Sequence, residues 1–270
     1  MKKTFLHLVL IISCFIMLVP FLWMILTAFK SIAEAQQVDP FILFPKEFRL
    51  DAFKKALSKM NFLLLYLNTF LMIAGRIAAA VVTASMAGFA LGRLQFKGKG
   101  FVFSLVLIQM MIPSQIFIIP QYLMLSKINM LNTVFSLVFP GLVTAFGTFL
   151  LRQSYMSLPK DLEEAAKLDG CNIFQTFLHI MMPLTKSAMV ALGIFTALFA
   201  FKDLMWPLVA NTDQASMPLA SGLAKLQGQF ISNYLELMAA SLIAIIPMIV
   251  IYVIFQKQFV EGIATSGGKL

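Results

Sequence analysis

The residues best suited to chemistry are gathered in one short internal segment, Lys160–Gly170. Six of its eleven residues are charged, whereas charged residues make up 12% of the whole chain. Such a cluster can bind a partner, or it can catalyse a reaction if a base or a nucleophile stands beside it. The only histidines are His7 and His179, and neither belongs to an H-E-x-x-H pattern. The pattern favours binding over catalysis, and we predict that the protein is not an enzyme.

Nucleotide hydrolysis is also not expected. A phosphate-binding loop requires the pattern G-x4-G-K-[ST]. The stretch LGRLQFKGKG (91–100) has the wrong spacing, and SGGKL (266–270) lacks the rest of the motif. The two cysteines, Cys14 and Cys171, are too few and too dispersed for a disulfide scaffold or a metal site. We expect no cofactor and no metal.

The elements that must position these residues are apolar helices. The chain has 270 residues and is 60% hydrophobic, which is more than one soluble core would hold. Uncharged runs of about 20 residues are typical of helices that cross a bilayer. We predict an all-α polytopic membrane protein that forms a single domain with six transmembrane helices. The predicted spans are 8–29, 66–91, 101–125, 131–151, 186–207 and 237–256.

The first span needs a separate argument, because Lys2 and Lys3 before an apolar run are also typical of a secretory signal. The uncharged run extends over 8–29, a length of 22 residues. It continues far beyond any cleavage at Cys14. We therefore expect a retained membrane helix.

The positive charges predict the orientation. With both termini in the cytosol, the cytosolic segments carry eleven Lys and Arg residues and the short outer loops carry two. This bias follows the positive-inside rule, although the long outer segment adds six more. The formal charge of +9 is therefore assigned to membrane headgroups rather than to nucleic acid. The predicted segments are an outer cap (30–61), a cytosolic loop (152–185), an outer loop (208–236) and a cytosolic tail (257–270).

The outer cap is predicted to contain one amphipathic helix that lies on the outer surface. Pro40 and Pro45 indicate a turn before it. The apolar residues assigned to this helix are Phe48, Leu50, Phe53, Ala56, Leu57 and Met60.

The charged segment itself is predicted to be the first helix of a helix–turn–helix, beginning near Pro159 and ending at Gly170, where a left-handed residue is needed. One apolar stripe consists of Leu158, Leu162, Ala165 and Ala166. The opposite, charged face consists of Lys160, Glu163, Glu164 and Lys167.

A second helix follows until Pro183 introduces the next span. Its apolar side is predicted to contain Ile173, Phe174, Phe177, Leu178 and Met181. A helix pair that is apolar toward its own bundle and charged toward the cytosol suits docking into another protein. An ordinary solvated loop explains the same pattern, and His179 is expected to be a polar surface residue.

The same segment carries a recognisable motif. Glu164-Ala165-Ala166, then three residues, Gly170, nine residues and Ile180-Met181-Met182-Pro183 resemble the EAA loop of ABC-importer permeases, EAA-x3-G-x9-I-x-LP, with Met in place of the usual Leu. Other stretches resemble the permeases of maltose-type and multiple-sugar importers in the binding-protein-dependent transport family. These stretches are AGFALGR (87–93), MIPSQIFIIPQYLML (111–125), LNTVFSLVFP (131–140), WPL (206–208) and QFVEGIATSGGKL (258–270).

The resemblance implies a type I importer permease in a bacterial or archaeal inner membrane. The implied partners are a sister permease, two cytosolic ATPase subunits, an extracytoplasmic solute-binding protein and a sugar substrate. The segment 152–185, named the EAA loop from here on, would dock into the ATPase, and the loop 208–236 would meet the binding protein. The implied ATPase-coupling residues are Glu164, Ala165, Ala166, Asp169 and Gly170. The implied ATPase-contacting tail residues are Gly267, Gly268 and Lys269.

Polar and charged residues within the spans are candidates for a translocation pathway, because each charge costs about 3 kcal/mol at mid-bilayer. The pathway candidates are Asn68, Gln115, Lys202, Asp203 and Trp206. For Lys202 and Asp203, structural anchoring at the interface is favoured over contact with the substrate. Adjacent residues point about 100° apart on a helix, so these two cannot face one partner. Arg76 is expected to make an interhelical polar contact.

Alternative functions remain open at this level. The solute is predicted to be a sugar, and a polyol or a glycerol phosphate is the nearest alternative. A self-contained secondary transporter would need coupling carboxylates inside the bundle and would gain nothing from a docking loop. A membrane enzyme is disfavoured by the missing catalytic groups.

Overall fold

The computed structural model describes residues 2–227 and 234–267. The described residues form helices and no strand, so the predicted all-α class is confirmed. The helices are α1 Lys2–Ala28, α2 Ile32–Gln36, α3 Asp51–Lys59, α4 Phe62–Arg93, α5 Lys99–Met111, α6 Ile118–Lys127, α7 Val134–Val138, α8 Ala145–Met156, α9 Asp161–Leu168, α10 Ile173–Gln175, α11 Met182–Leu184, α12 Lys186–Lys202, α13 Met205–Ala210, α14 Leu219–Leu226 and α15 Tyr234–Gly267. The 3₁₀ segments are Ser114–Phe117 and Phe139–Gly141, and Thr176–Met181 is a π-helix.

Several helices have the length and composition of membrane spans. Helices α1 and α4 each qualify alone among the described residues. Three bent pairs bring the number to five if each pair forms one span. The sixth predicted span, 237–256, falls within α15, which contains a shorter apolar helix at Tyr234–Val250. The molecule is therefore a polytopic membrane protein, and the six individual spans stay a prediction.

The predicted spans are less straight than the apolar runs suggest. The third is divided at Pro113, where Lys99–Met111 and Ser114–Lys127 meet at 102°. Proline disfavours helical geometry in the residue before it, and Ile112 has an extended ψ of 127°. The fourth bends by 49° between Val134–Gly141 and Ala145–Met156. A uniform apolar run therefore predicted an apolar helical segment but not the bend within it.

The chain divides into two compact units. The first contains 1–65 and 221–253, and the second contains 66–220 and 254–270. In the first unit, the predicted cap helix is present as α3. Its buried residues are Ala52 and Ala56, and Ala52 packs in a cluster with Ala28, Leu235 and Ala239.

The predicted cap helix is shorter than expected at its N-terminal end. Helix α3 starts at Asp51, so Phe48 and Leu50 precede it, and both are exposed together with Leu57. Alanines fill the contact with the unit's own helices, because only small side chains allow the backbones to approach so closely. Large apolar residues are left outside, where a lipid headgroup region can accept them.

Two charged side chains fasten the segment after α1. Lys30 is 3% exposed and donates to the Ile42 carbonyl at 2.6 Å, with its ammonium 4.4 Å from the Trp23 ring centre. Burial lowers the pKa of Lys30 below its usual value. Glu34 accepts from the backbone N–H groups of Ser31 and Lys46, and these bonds lower the pKa of its carboxyl group. The cap is therefore a folded element rather than a loose loop.

The second unit is built around the C-terminal half of α4. Its buried cluster combines residues of α4, α8, the π-helix and α12. The members are Ala84, Phe89, Leu151, Tyr155, Phe177, Met181 and Leu192. The EAA loop therefore shares one core with the membrane helices on either side of it.

Close packing of α4 against α8 requires Gly88. A Cβ atom at this position would lie 2.8 Å from the backbone nitrogen of Arg152, where backbone cannot give way. We expect Gly88→Ala to lower the free energy of unfolding by roughly 1–3 kcal/mol through overpacking. Thermal unfolding of the purified chain in detergent measures this change.

The matched control for this prediction is Gly100→Ala in α5, where a Cβ atom would meet nothing within 4 Å. This variant should be as stable as the parent or slightly more stable, because alanine is the better helix former. Equal unfolding midpoints for the two variants would contradict the packing described for Gly88.

Candidate functional site

The first helix of the EAA loop forms for local reasons. Its first turn contains Asp161, Glu163 and Glu164, and its last turn contains Lys167. Negative charges near the N-terminus and a positive charge near the C-terminus both favour the helix dipole. The predicted helix is confirmed as α9, Asp161–Leu168.

Gly170 ends this helix as predicted. Its φ of +79° is left-handed, a conformation that glycine adopts without strain. The N–H of Gly170 donates to the Lys167 carbonyl, and the N–H of Cys171 donates to the Ala166 carbonyl. These two bonds form a Schellman motif, which fixes the direction of the chain after α9.

The second half of the loop begins with a capping box at Asn172 and Gln175. It then becomes a π-helix, Thr176–Met181, which meets α12 through a bend of 74° between Ile173–Leu184 and Lys186–Lys202. The wider π-helical turn changes which residues share a face. Phe177 and Met181 are buried as predicted.

Three predicted packing positions in this second half are wrong: Ile173, Phe174 and Leu178 are exposed. The prediction assumed one regular α-helix, and a π-helical turn does not keep that periodicity. His179 is exposed, as expected of a polar surface residue.

The first helix also departs from its predicted faces. Ala166 is buried, whereas Ala165, placed on the same stripe, is exposed. Glu163, placed on the charged outer face, instead lies 2.6 Å from the Nε of Arg93 at the end of α4. The exposed surface of the EAA loop therefore consists of both polar and apolar side chains. Six of the exposed residues are Glu164, Ala165, Leu168, Asp169, Ile173 and Phe174.

A second charged contact lies deeper in the same unit. The Nη2 atom of Arg76 forms an ion pair with Oδ2 of Asp203 at 2.8 Å, without a hydrogen bond between the two atoms. The Nε of Arg76 donates to the Leu137 carbonyl at 2.7 Å. Gly141 makes room for this side chain, since a Cβ there would lie 2.6 Å from the Arg76 Cγ. The predicted interhelical contact of Arg76 is confirmed, and it joins α4 to the break between α12 and α13.

The remaining pathway candidates have separate surroundings. Asn68 is buried and donates to the carbonyls of Ala215 and Met217, both at 2.9 Å. Trp206 is buried and donates to the Ser136 carbonyl at 2.7 Å.

Gln115 and Lys202 are both exposed. No hydrogen bond or ion pair joins any two of the five candidates in the described part of the chain. Their role in a pathway stays a prediction.

The three residues predicted to contact the ATPase through the C-terminal tail lie at or beyond the last described residue. Gly267 is the last residue of α15, and Gly268 and Lys269 lie outside the described residues. Their contact with an ATPase stays a prediction.

A family comparison decides what kind of membrane protein carries this loop. Residues 80–264 match the family described as binding-protein-dependent transport system inner membrane component. The matched range contains the EAA loop, the π-helix and the helices that pack on them. The chain belongs to this family.

Individual relatives of this inner membrane component are also named as permease proteins of transport systems. The arabinooligosaccharides transport system permease protein AraQ of Halalkalibacterium halodurans is 32% identical over 257 residues, 94% of this chain and 92% of the relative. The diacetylchitobiose uptake system permease protein DasC of Streptomyces coelicolor is 30% identical over 253 residues, 93% and 91% of the two chains. The sn-glycerol-3-phosphate transport system permease protein UgpE of Salmonella typhi is 30% identical over 207 residues, 76% and 74%.

The fold of the inner membrane component is also found in a solved structure. A bacterial ABC transporter involved in the import of the acidic polysaccharide alginate contains a chain with a TM-score of 0.78. The likeness covers 94% of this chain and 95% of that chain at 22% sequence identity, and it shows that the two share a fold. The family is a transport component, which agrees with the prediction that the chain is no enzyme.

The sequence alone did not identify Arg93 or Glu163 as partners. Arg93 ends the quoted stretch AGFALGR, and its position at the end of an apolar run was a visible signal. The identity of its partner was not visible, because Glu163 lies 70 residues further on.

Removing one partner of the Arg76–Asp203 pair should be costly. Arg76 is 8% exposed at its side chain, so Asp203→Leu would leave a buried charge without its counter-ion. We expect the free energy of unfolding to fall by roughly 3 kcal/mol in Asp203→Leu and to recover largely in Arg76→Leu with Asp203→Leu. Thermal unfolding of the purified chain in detergent measures both.

Lys202→Leu is the matched control, because it removes the neighbouring charge from an exposed side chain. If Asp203→Leu unfolds at the same temperature as Lys202→Leu, the ion pair does not stabilise this permease.

Proposed function

We propose that this chain is a membrane permease subunit of an ATP-driven sugar importer. It would form half of a translocation pathway together with a sister permease. Two cytosolic ATPase subunits would supply energy, and an extracytoplasmic binding protein would deliver the sugar. The chain would hydrolyse nothing itself and would work by alternating access, in which the half-bundles rock about a central cavity.

The exposed surface of the EAA loop carries this proposal. Leu168 is 89% exposed, and Ile173 and Phe174 are 60% and 61% exposed, on a segment whose helices are capped and whose inner side is packed. Apolar side chains of this size outside the spans, flanked by Glu164 and Asp169, fit a groove on a soluble protein. The positive-inside charge distribution supports placing this surface in the cytosol, where an ATPase is available.

The geometry of the loop supports a mechanical role. Its inner residues share one core with α4, α8 and α12, so the loop is fixed to the membrane helices. Its outer residues are free to meet a motor subunit. A push on the outer surface would therefore be passed to the bundle rather than absorbed by a flexible connection.

The relatives support a sugar as the solute. AraQ and DasC are named for an oligosaccharide and an amino-sugar disaccharide, and both are matched over more than nine tenths of this chain. UgpE is named for sn-glycerol 3-phosphate, which makes a glycerol phosphate the nearest alternative. The likeness to the alginate transporter supports the fold and not the solute.

Purification and uptake test this function together. The tagged chain, extracted from its native membrane, should bring an ATPase and a second permease with it. ATP-loaded vesicles should accumulate at least one of three labelled probes, an arabino-oligosaccharide, diacetylchitobiose or sn-glycerol 3-phosphate. Accumulation of the phosphate alone would select the alternative solute, and uptake without any ATPase would refute the proposal.

Charge reversal on the exposed surface tests the docking role. Glu164→Lys should lower the yield of co-purified ATPase, because it places a like or unmatched charge in the contact. Asp161→Lys is the matched control, since Asp161 is also exposed on α9 and has no proposed contact with the ATPase. Equal ATPase yields from the two variants would count against docking through this surface.

A second prediction concerns Gly170. Gly170→Val should lower uptake while membrane insertion survives, because a β-branched residue in the left-handed region costs about 1–2 kcal/mol and would redirect the chain after α9. No atom lies within 4 Å of a Cβ built there, so the effect is conformational and not steric. Gly170→Asn, which tolerates this conformation, should retain most of the uptake. Wild-type uptake in Gly170→Val vesicles would refute the role of the turn.

A further inference from the structure

We infer that Arg93 is a positioning residue that fixes the docking helix α9 to the end of α4, so that α4 follows movement of the EAA loop. The inference rests on the proposed function of that loop and deepens it. It names the side chains that would transmit movement of the EAA loop to the membrane helices.

The contacts of Arg93 are unusually complete. Its Nε donates to Oε1 of Glu163 at 2.6 Å. Its Nη1 donates to the carbonyls of Leu158 at 3.0 Å and Tyr155 at 3.4 Å, and its Nη2 donates to the carbonyl of Pro159 at 3.2 Å. One guanidinium therefore holds the end of α8, the link 157–160 and the first turn of α9.

Burial makes these contacts significant. The side chain of Arg93 is 6% exposed and that of Glu163 is 23% exposed. A charge-assisted bond shielded from water is stronger than a surface ion pair, and a buried arginine without acceptors is costly. Arg93 therefore cannot leave the loop without losing several bonds at once.

The other half of the EAA loop reaches the same turn of α4. The ring of Phe89 lies 5.1 Å from the ring of Phe177 in the π-helix, measured between centres. Phe89 and Arg93 are four residues apart, so they lie on one face of α4. Both halves of the loop are therefore attached to the last turn of one membrane helix, one by charge and one by an apolar contact.

Arginine is required here for its shape. Three nitrogens of one planar group serve four acceptors that lie in different directions. A lysine has a single charged nitrogen on a flexible stem and cannot reproduce this fork. Arg93→Lys should therefore keep the charge near Glu163 and still loosen the link 157–160.

Hydrogen exchange measures the link in the full-length chain, purified in lipid nanodiscs. Glu163→Gln should raise the rate of amide exchange in residues 161–168 by about tenfold. The reason is that a charge-assisted hydrogen bond shifts the equilibrium between the closed and the locally opened helix by about that factor. Asp161→Asn is the matched control, an exposed carboxylate in the same helical turn, and should exchange like the parent. Arg93→Lys should raise exchange in residues 157–160 as well.

The same measurement on the assembled complex tests transmission. Mg-ATP with vanadate, which traps a closed ATPase, should change exchange in both the EAA loop and residues 86–93 of the parent complex. In Glu163→Gln the change in the loop should remain, and the change in residues 86–93 should become smaller but not vanish, because the carbonyl contacts of Arg93 and the Phe89–Phe177 contact remain.

Three results would overturn the inference. Glu163→Gln chains that exchange like Asp161→Asn chains would show that the contact does not hold α9. A nucleotide response of residues 86–93 that is undiminished in Glu163→Gln would show that the Arg93–Glu163 contact does not transmit the movement. A parent complex without an ATPase would remove the proposed function and the transmission together, while exchange in the chain alone would still decide whether Arg93 fixes α9.

Discussion

An arginine shielded from water needs hydrogen-bond acceptors or a counter-ion. This requirement determines which elements pack against α4. Arg76 lies in the middle of the helix and Arg93 at its end, and both are largely buried. Each forms an ion pair with a carboxylate from a distant element and donates hydrogen bonds to backbone carbonyls. Because an unpaired charge in an apolar surrounding is expensive, the partners are held in place as firmly as the arginines. Helix α4 therefore serves as the frame on which the second unit is assembled.

Small residues make the close approaches that these charges need. Gly141 leaves the space in which the stem of Arg76 lies, and Gly88 lets the backbone of α8 come against α4. A side chain at either position would push the partner helices apart and lengthen the polar contacts. In a membrane bundle, where the lipid is as apolar as the side chains, packing and polar contacts of this kind replace the hydrophobic driving force of a soluble core.

The EAA loop combines two opposite surfaces in a short length of chain. Ala166, Phe177 and Met181 are buried against the unit's own helices, while Leu168 and Phe174 are exposed. A loop that only connected two helices would gain nothing from exposing large apolar residues. The family to which the chain belongs transports solutes with a binding protein, and a surface of this kind suits a partner that performs work on the membrane component.

The sequence by itself determined the helical class, the location of the apolar runs, the glycine turn at Gly170 and the EAA motif. These features depend on local patterns, such as charge-free length, a left-handed residue after a helix and spacing within about 20 residues. Tertiary structure alone decided that Glu163 faces Arg93, that Asp203 faces Arg76 and that Ile173 is exposed. Pairing between residues far apart in the chain and the π-helical turn depend on how whole helices pack. The residues next to each position in the sequence therefore do not predict these features.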